Sequence, residues 1–440
     1  MEHVKSTCLG CSLGCGVELI VRDNQLLRID GDWNAPVNAG VLCEVGRFLP
    51  LAEDRQRIVT PLVRKNGSLK AATWEEAMAY VSAKLKPLAG KDGDGVAALA
   101  STRLPVEALH LFKQLFADKL GSGMVTSIEE GVTTALPGAV AQELGKPFEG
   151  SLEALKSADC VVAVGVDLVG SHQVAGFFVK RGLPTGTKLV VIDPYENGLH
   201  DLAHYPLQPQ QGTDYDLLLG IMSAIVNMGL VKSIPDLRQH TPEIASQTTG
   251  IPAETIRNVA RLIASSQSPV FVYGKGVTRG DSPRALKALL ELASLVGAAS
   301  LVGVKGQANS LAAYLVGLEK PFEVNGHRAI YLALVDDKPS KRLIKRLEGA
   351  PFIAVQASHV SPATAMADVV LPVEMWAEQA GHYLSLEGRL QEARRGLTPP
   401  ADVRSHVAVL QSLAETLGVT LDADWQSGLR RRVSTNVIMK

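Results

Sequence analysis

The chain has 440 residues, 46% hydrophobic and 20% charged, the composition of an ordinary globular protein with room for roughly two to four domains. A formal net charge of -1 excludes a global field that would gather nucleic acid or an anionic membrane. No apolar run reaches the roughly 18 residues of a membrane span, and the opening "MEHVKSTC" carries neither an export leader nor a twin arginine, so a cytoplasmic chain without a direct membrane span is expected, at most peripheral to a membrane complex.

Four of the five cysteines stand in the first tenth of the chain: Cys8, Cys11, Cys15 and Cys43. Cytoplasmic thiols are kept reduced, so metal or cluster ligation is favoured over a disulfide framework. The spacing is C-x2-C-x3-C, then Cys43 after a 27-residue excursion. Thiolates suit both zinc and iron–sulfur clusters. A [4Fe–4S] cube needs four of them, one per iron, and Gly10, Gly14 and Gly16 give one loop the freedom to wrap three corners. Structural zinc more often shows two C-x2-C pairs, and Cys43 has no near partner cysteine. Between the two parts, "VELIV" and "LLRI" read as a hairpin turning at "RDNQ", which would bring Cys43 back to the loop.

Beyond Cys43 the pattern alternates between strand and helix. Short, continuously apolar strands are expected at Gly95–Ser101, Asp159–Gly165, Lys188–Asp193, Pro269–Gly274, Ala329–Val335 and Phe352–Ser358. Runs of this kind are buried on both faces, as in parallel sheets covered by helices. Amphipathic helices fall at Thr73–Ala89, Pro105–Leu120, Asp214–Leu230, Ala253–Ser266 and Pro283–Gly297. Cys160 lies in the strand "DCVVAVG" and reads as a small buried hydrophobe. "LGSGMV" follows a helix and lacks a third glycine, so no nicotinamide fingerprint is present; "YGKGVTRGD" reads as a structural turn before a phosphate cradle.

Three segments together resemble the molybdopterin oxidoreductase family, which includes formate dehydrogenases and has a related domain in the large iron–sulfur subunit of respiratory complex I. They are the N-terminal cysteines with "VNAGVLCEVGRF", the stretch "LVVIDPYENGLHDLAHYPLQPQQGTDYDLLLGI", and "ADVVLPVEMWAEQAGHYLSLEGRLQEARRGL". The resemblance implies an α/β chain: an N-terminal iron–sulfur hairpin domain (residues 1–55), then two doubly wound parallel-sheet domains (56–145 with 350–440, and 146–349). It implies a [4Fe–4S] cluster on Cys8, Cys11, Cys15 and Cys43. It also implies that Asp193 and Asp214 match the segments that bind molybdopterin guanine dinucleotide in catalytic members.

The departures point away from catalysis. The stretch "LGSGMVTSIEEGVTTALPGAV", where such members carry a metal-ligating cysteine or selenocysteine, has none here, and Glu129 or Glu130 falls near that position. Val45 replaces a basic residue, "YLSLEGR" replaces T-N-x-E-G-R, and the chain ends soon after "LAETLG", without the family's C-terminal barrel. An electron-transfer subunit with a vestigial pterin site is therefore expected, partnered by iron–sulfur, flavin or dehydrogenase chains, with Arg47 a candidate charge beside the cluster. A catalytic molybdenum or tungsten subunit of formate dehydrogenase type, with its barrel on another chain, and a non-redox module with a purely structural cluster are the alternatives.

Overall fold

In the computed structural model, residues 1–90, 95–129, 150–229, 237–278, 284–304, 306–324 and 326–430 are described. The chain forms two compact units: Met1–Ala135 with Gly306–Lys440, and Leu136–Lys305.

The first unit opens with a three-stranded antiparallel sheet, β1 (Glu2–Thr7), β2 (Gly16–Arg22) and β3 (Gln25–Gly31), among the described residues. The turn expected at "RDNQ" is present: Asp23 and Asn24 take φ of 52° and 57°, the paired left-handed turn that matches strand twist. Val17, Leu19, Ile20 and Val21 of β2 are buried. Strand β1 has a polar-rich sequence that does not announce a strand. Its pairing matters for function, because Thr7 lies opposite Gly16 and the loop carrying three cysteines therefore closes a hairpin.

The larger sheet of this unit has, among the described residues, seven strands in the spatial order Ser68–Ala71, Leu62–Lys65, Val369–Pro372, Ile353–Ala357, Ala329–Ala333, Val96–Ala100 and Met124–Ser127. From Val369–Pro372 onward the strands run parallel; the first two form an antiparallel edge hairpin turning at Asn66-Gly67. Helices Trp74–Leu85, Val106–Lys113 and His406–Leu417 supply Met78, Val81, Leu109, Phe112, Leu410 and Leu413 to its core. Residues 306–349, expected in the second α/β domain, belong to this unit. "AIYLA" could serve either sheet by sequence, but it pairs with Val96–Ala100 and Ile353–Ala357.

The second unit is built on a parallel sheet, five-stranded among the described residues, in the order Tyr205–Leu207, Lys188–Ile192, Cys160–Val164, Pro269–Tyr273 and Ser300–Gly303. The strand order reverses between Cys160–Val164 and Pro269–Tyr273. At such a switch point a crevice opens beyond the carboxyl ends of the strands. Cys160 is fully buried there, as expected of a core residue. Among the described residues no helix is long and apolar enough to cross a membrane.

Candidate iron–sulfur centre and nucleotide cleft

The first three cysteines lie on the β1–β2 connection. Its ends are tied by the Cys8 N–H, which donates to the Cys15 carbonyl at 2.8 Å. The loop is then braced by distant parts of the same unit. Trp376 Nε1 donates to the Thr7 carbonyl at 2.8 Å, the Leu386 N–H donates to the Ser12 carbonyl at 2.8 Å, and Gln391 Nε2 donates to the Gly14 carbonyl at 2.7 Å. Gly14 takes φ of 66°, and a Cβ there would approach the backbone of Ser385 at 3.3 Å. The segment "YLSLEGR" is thus a brace for the cysteine loop.

Cys43 returns by a second device. After β3 the chain folds back on itself so closely that the N–H groups of Ala35 and Gly40 both donate to the Asp32 carbonyl. Asn38, fully buried, accepts from the Gly16 N–H at 2.8 Å and donates to the carbonyls of Gly16 and Val41. One side chain therefore fastens the return loop to the strand start beside Cys15. Cys43 then caps the short helix α1 (Glu44–Phe48), its sulfur accepting from the Gly46 N–H at 3.4 Å. Neither β1 nor Asn38 is legible in the sequence; a lone asparagine in a loop gives no signal of a tertiary clamp.

Neighbouring thiols act in the same direction as burial: Cys43 on Cys8, Cys8 and Cys43 on Cys11, and the other three on Cys15. Burial pushes the Cys8 thiol up to about 11, Cys11 to about 12, and Cys15 well above its ordinary range. Such thiols ionise when a metal replaces their protons. Among the described residues no three His, Cys, Asp or Glu side chains converge as ligands of a single ion. A cube asks for a wider arrangement, since each thiolate takes a different iron. The donor set fits it: the N–H groups of Gly10 and Gly46 each reach a sulfur at 3.4 Å, and a Cβ on Gly46 would stand 3.1 Å from Cys8 Sγ. A cavity of about 230 Å³ adjoins the loop, lined by Cys8, Gly10, Val45, Arg103, Gln307 and Asp336 among others.

Two expected residues serve elsewhere. Arg47 donates to Asp30 Oδ1 and to the Ile29 carbonyl, bracing α1 against β3. Glu129 is held by Thr102 Oγ1 at 2.7 Å, by the Gln307 N–H at 2.8 Å and by Ser310 Oγ at 2.8 Å, so its carboxylate has a structural occupation. Glu130 lies outside the described residues.

In the second unit, Asp193 and Asp214 line one cleft of about 580 Å³ at the switch point, together with Gly165, Gly276, Lys275 and Arg284. Asp214 follows a turn and opens helix Asp214–Asn227; burial lifts its carboxyl above the usual range and the charge of Asp193 adds to the effect. Gly165, at φ of 57°, lets the two strand ends approach until the Gly276 N–H donates to its carbonyl at 2.9 Å. The start of "YGKGVTRGD", read as a structural turn, lines this cleft; residues 279–283 lie outside the described ones. Three carboxylates, Asp216 being the third, two cations and a glycine rim at a switch point form a pocket of the size and polarity that a nucleotide needs.

Residues 57–416 match the family model described as Molybdopterin oxidoreductase, and residues 1–51 match the Molybdopterin oxidoreductase Fe4S4 domain. The chain is 23% identical to the F420-dependent formate dehydrogenase subunit alpha of Methanocaldococcus jannaschii, over 94% of this chain and 70% of that protein. It is 25% identical to an NADH-quinone oxidoreductase subunit of Rhizobium meliloti, over 94% of this chain and 54% of that one. The acetylene hydratase from Pelobacter acetylenicus shares the fold, with a TM-score of 0.75 and 17% identity, over 94% of this chain and 69% of the hydratase.

Proposed function

The chain belongs to the molybdopterin oxidoreductase family and carries its Fe4S4 domain, and from that premise we propose that it is an iron–sulfur electron-transfer subunit of a multisubunit oxidoreductase. Cys8, Cys11, Cys15 and Cys43 would hold the cluster, which when bound supplies a one-electron carrier. The observation that carries the reading is that two separately braced loops meet at Gly46, whose N–H donates to Cys43 Sγ at 3.4 Å and whose would-be Cβ stands 3.1 Å from Cys8 Sγ. The chain's own part is to bury Cys8 and Cys15, hold Cys11 and Cys43 half-buried, and donate backbone N–H groups to the Cys8 and Cys43 sulfurs. We place it in the cytoplasm beside other iron–sulfur, flavin or dehydrogenase chains, with no nucleic-acid partner. Its pterin site is proposed to be vestigial. In support, no cysteine stands in residues 121–141, and Glu129, the described carboxylate nearest the expected ligand position, is engaged by three protein donors.

A second reading is favoured by the cleft at Asp193 and Asp214, which could hold the guanine nucleotide of a pterin cofactor. Under it, the chain is the catalytic molybdenum or tungsten subunit of a formate dehydrogenase-type enzyme. The test is to purify the chain with its complex and measure iron, sulfide, zinc, pterin, molybdenum and tungsten per chain. About four irons from this chain without pterin metal is the expected result. Stoichiometric pterin with molybdenum or tungsten would refute the vestigial site, and zinc in place of iron and sulfide would refute the cluster.

A further inference from the structure

We infer that Arg103 sets the reduction potential of the cluster as a fixed positive charge, supplied by the seven-stranded sheet and not by the cysteine segments. The inference rests on the electron-transfer reading above.

Arg103 follows the carboxyl end of strand Val96–Ala100, in a turn where its N–H donates to Ser101 Oγ at 3.1 Å. Asp336 and Asp337 follow the neighbouring strand Ala329–Ala333, so the topology delivers a cation and two carboxylates to one sheet edge. Arg103 Nη1 donates to Asp336 Oδ1 at 2.9 Å, which fixes the guanidinium. Its Nε lies 4.0 Å from Asp337 Oδ1 and, although buried, has no hydrogen-bond partner among the described residues. The side chain lines the cavity beside Cys8 and Gly10.

Arg103 and its partner Asp336 line the same cavity as Cys8 and Gly10, and the Gly10 N–H donates to Cys8 Sγ at 3.4 Å, so the guanidinium faces the cysteine loop across that cavity. Arg47, nearer in sequence, faces Asp30 instead. Arginine stays protonated at every relevant pH, so its field is constant. One-electron reduction adds a negative charge to the cluster, taken from the donor subunit or, in a titration, from dithionite. A fixed cation stabilises the reduced form relative to the oxidised one and raises the potential; Asp336 acts in the opposite sense.

The experiment is a potentiometric titration of the purified complex, read by electron paramagnetic resonance of the reduced cluster, with iron per chain measured in parallel. Arg103→Gln should lower the one-electron reduction equilibrium at least tenfold, about 59 mV, with iron retained. Arg103→Lys should recover most of that shift, and Asp336→Asn should move the midpoint upward. A purely structural role predicts the same direction for Arg103→Gln and Asp336→Asn, or lost iron at an unchanged midpoint. An unchanged midpoint in Arg103→Gln with full iron overturns the inference and leaves the electron-transfer reading standing. If Arg103→Gln assembles no cluster, Asp336→Asn decides: an upward shift supports the inference, and any other result overturns it. A wild-type chain without a cluster overturns both.

Discussion

Replacing Gly31 by alanine tests the device that returns Cys43 to the loop. A Cβ at Gly31 would stand 2.6 Å from the carbonyl carbon of Gly40 and 3.1 Å from its Cα, and closer still to the carbonyl oxygen. Comfortable carbon contacts begin near 3.5 Å, so the two strands of chain must part by about 1 Å. Backbone stands on both sides of the contact. Gly40 sits at φ of 80°, and its N–H donates to the Asp32 carbonyl at 3.0 Å, so separation also strains that bond. Overpacking costs about 1–3 kcal/mol, and the weakened hydrogen bond adds about 1 kcal/mol. A loss of about 2–4 kcal/mol is therefore expected around the return loop that leads to Cys43. Iron per chain should become substoichiometric, and urea denaturation should show the lowered stability. Gly67→Ala is the control: it too has φ of 80°, but nothing lies within 4 Å of its would-be Cβ. That change should cost about 1–2 kcal/mol from left-handed strain alone and leave the iron content intact. A Gly31→Ala protein with wild-type iron and wild-type stability would refute the reasoning.

Arg57 donates to the carbonyls of Ser358 and Val373 and pairs with Glu378 Oε2 at 2.6 Å; the Glu378 side chain is only 5% exposed. Arg57→Ala strands that carboxylate and should lower stability by about 3–5 kcal/mol in urea denaturation, part of it restored by adding Glu378→Gln; a loss below about 1 kcal/mol would mean the pair behaves like a surface bridge. Burial lifts the Glu374 carboxyl from 4.5 to about 7, with Glu378 adding and Arg395 opposing. The folded chain then holds this proton more tightly than the unfolded one, so the stability it contributes is complete below pH 4.5 and is lost as pH rises through about 7. Glu374→Gln should flatten the fall in stability across that window, measured by denaturation at a series of pH values; identical slopes in both proteins would count against the assignment.

The strands that read clearly from sequence are those buried on both faces, such as Cys160–Val164 and Ile353–Ala357, where continuous apolarity leaves no ambiguity of face. Helix Ala253–Ser265 reads equally well, with Ile256, Val259, Ala260 and Ile263 on one stripe. The edge hairpin at Asn66-Gly67 is absent from the expected strands although that dipeptide is a strong turn signal, because its two short strands carry little apolar pattern. Strand β1 gives no signal because "EHVKST" buries only Ser6 and Thr7. Of the candidate sites, the cysteine spacing carries its own chemistry. Arg103, Asn38 and Gln391 carry no such mark, because each acts through partners made adjacent only by tertiary folding. Glu129 misleads in the opposite way: a carboxylate at a suggestive position is already satisfied by Thr102, Gln307 and Ser310. The placement of 306–349 eludes sequence reading because pairing partners, unlike strand character, are not written within a strand.

The brace on the cysteine loop has a consequence for synthesis. Trp376 reaches Thr7 across 369 residues of sequence, and Gln391 reaches Gly14 across 377. At about 5–20 residues per second, a ribosome needs roughly 20–75 s after making Gly14 to make Gln391. For most of that interval the nascent thiols have emerged while their clamp does not yet exist. Closure of the loop therefore waits on translation of Gln391, and a nascent chain short of that residue carries its cysteines on a loop that lacks this clamp.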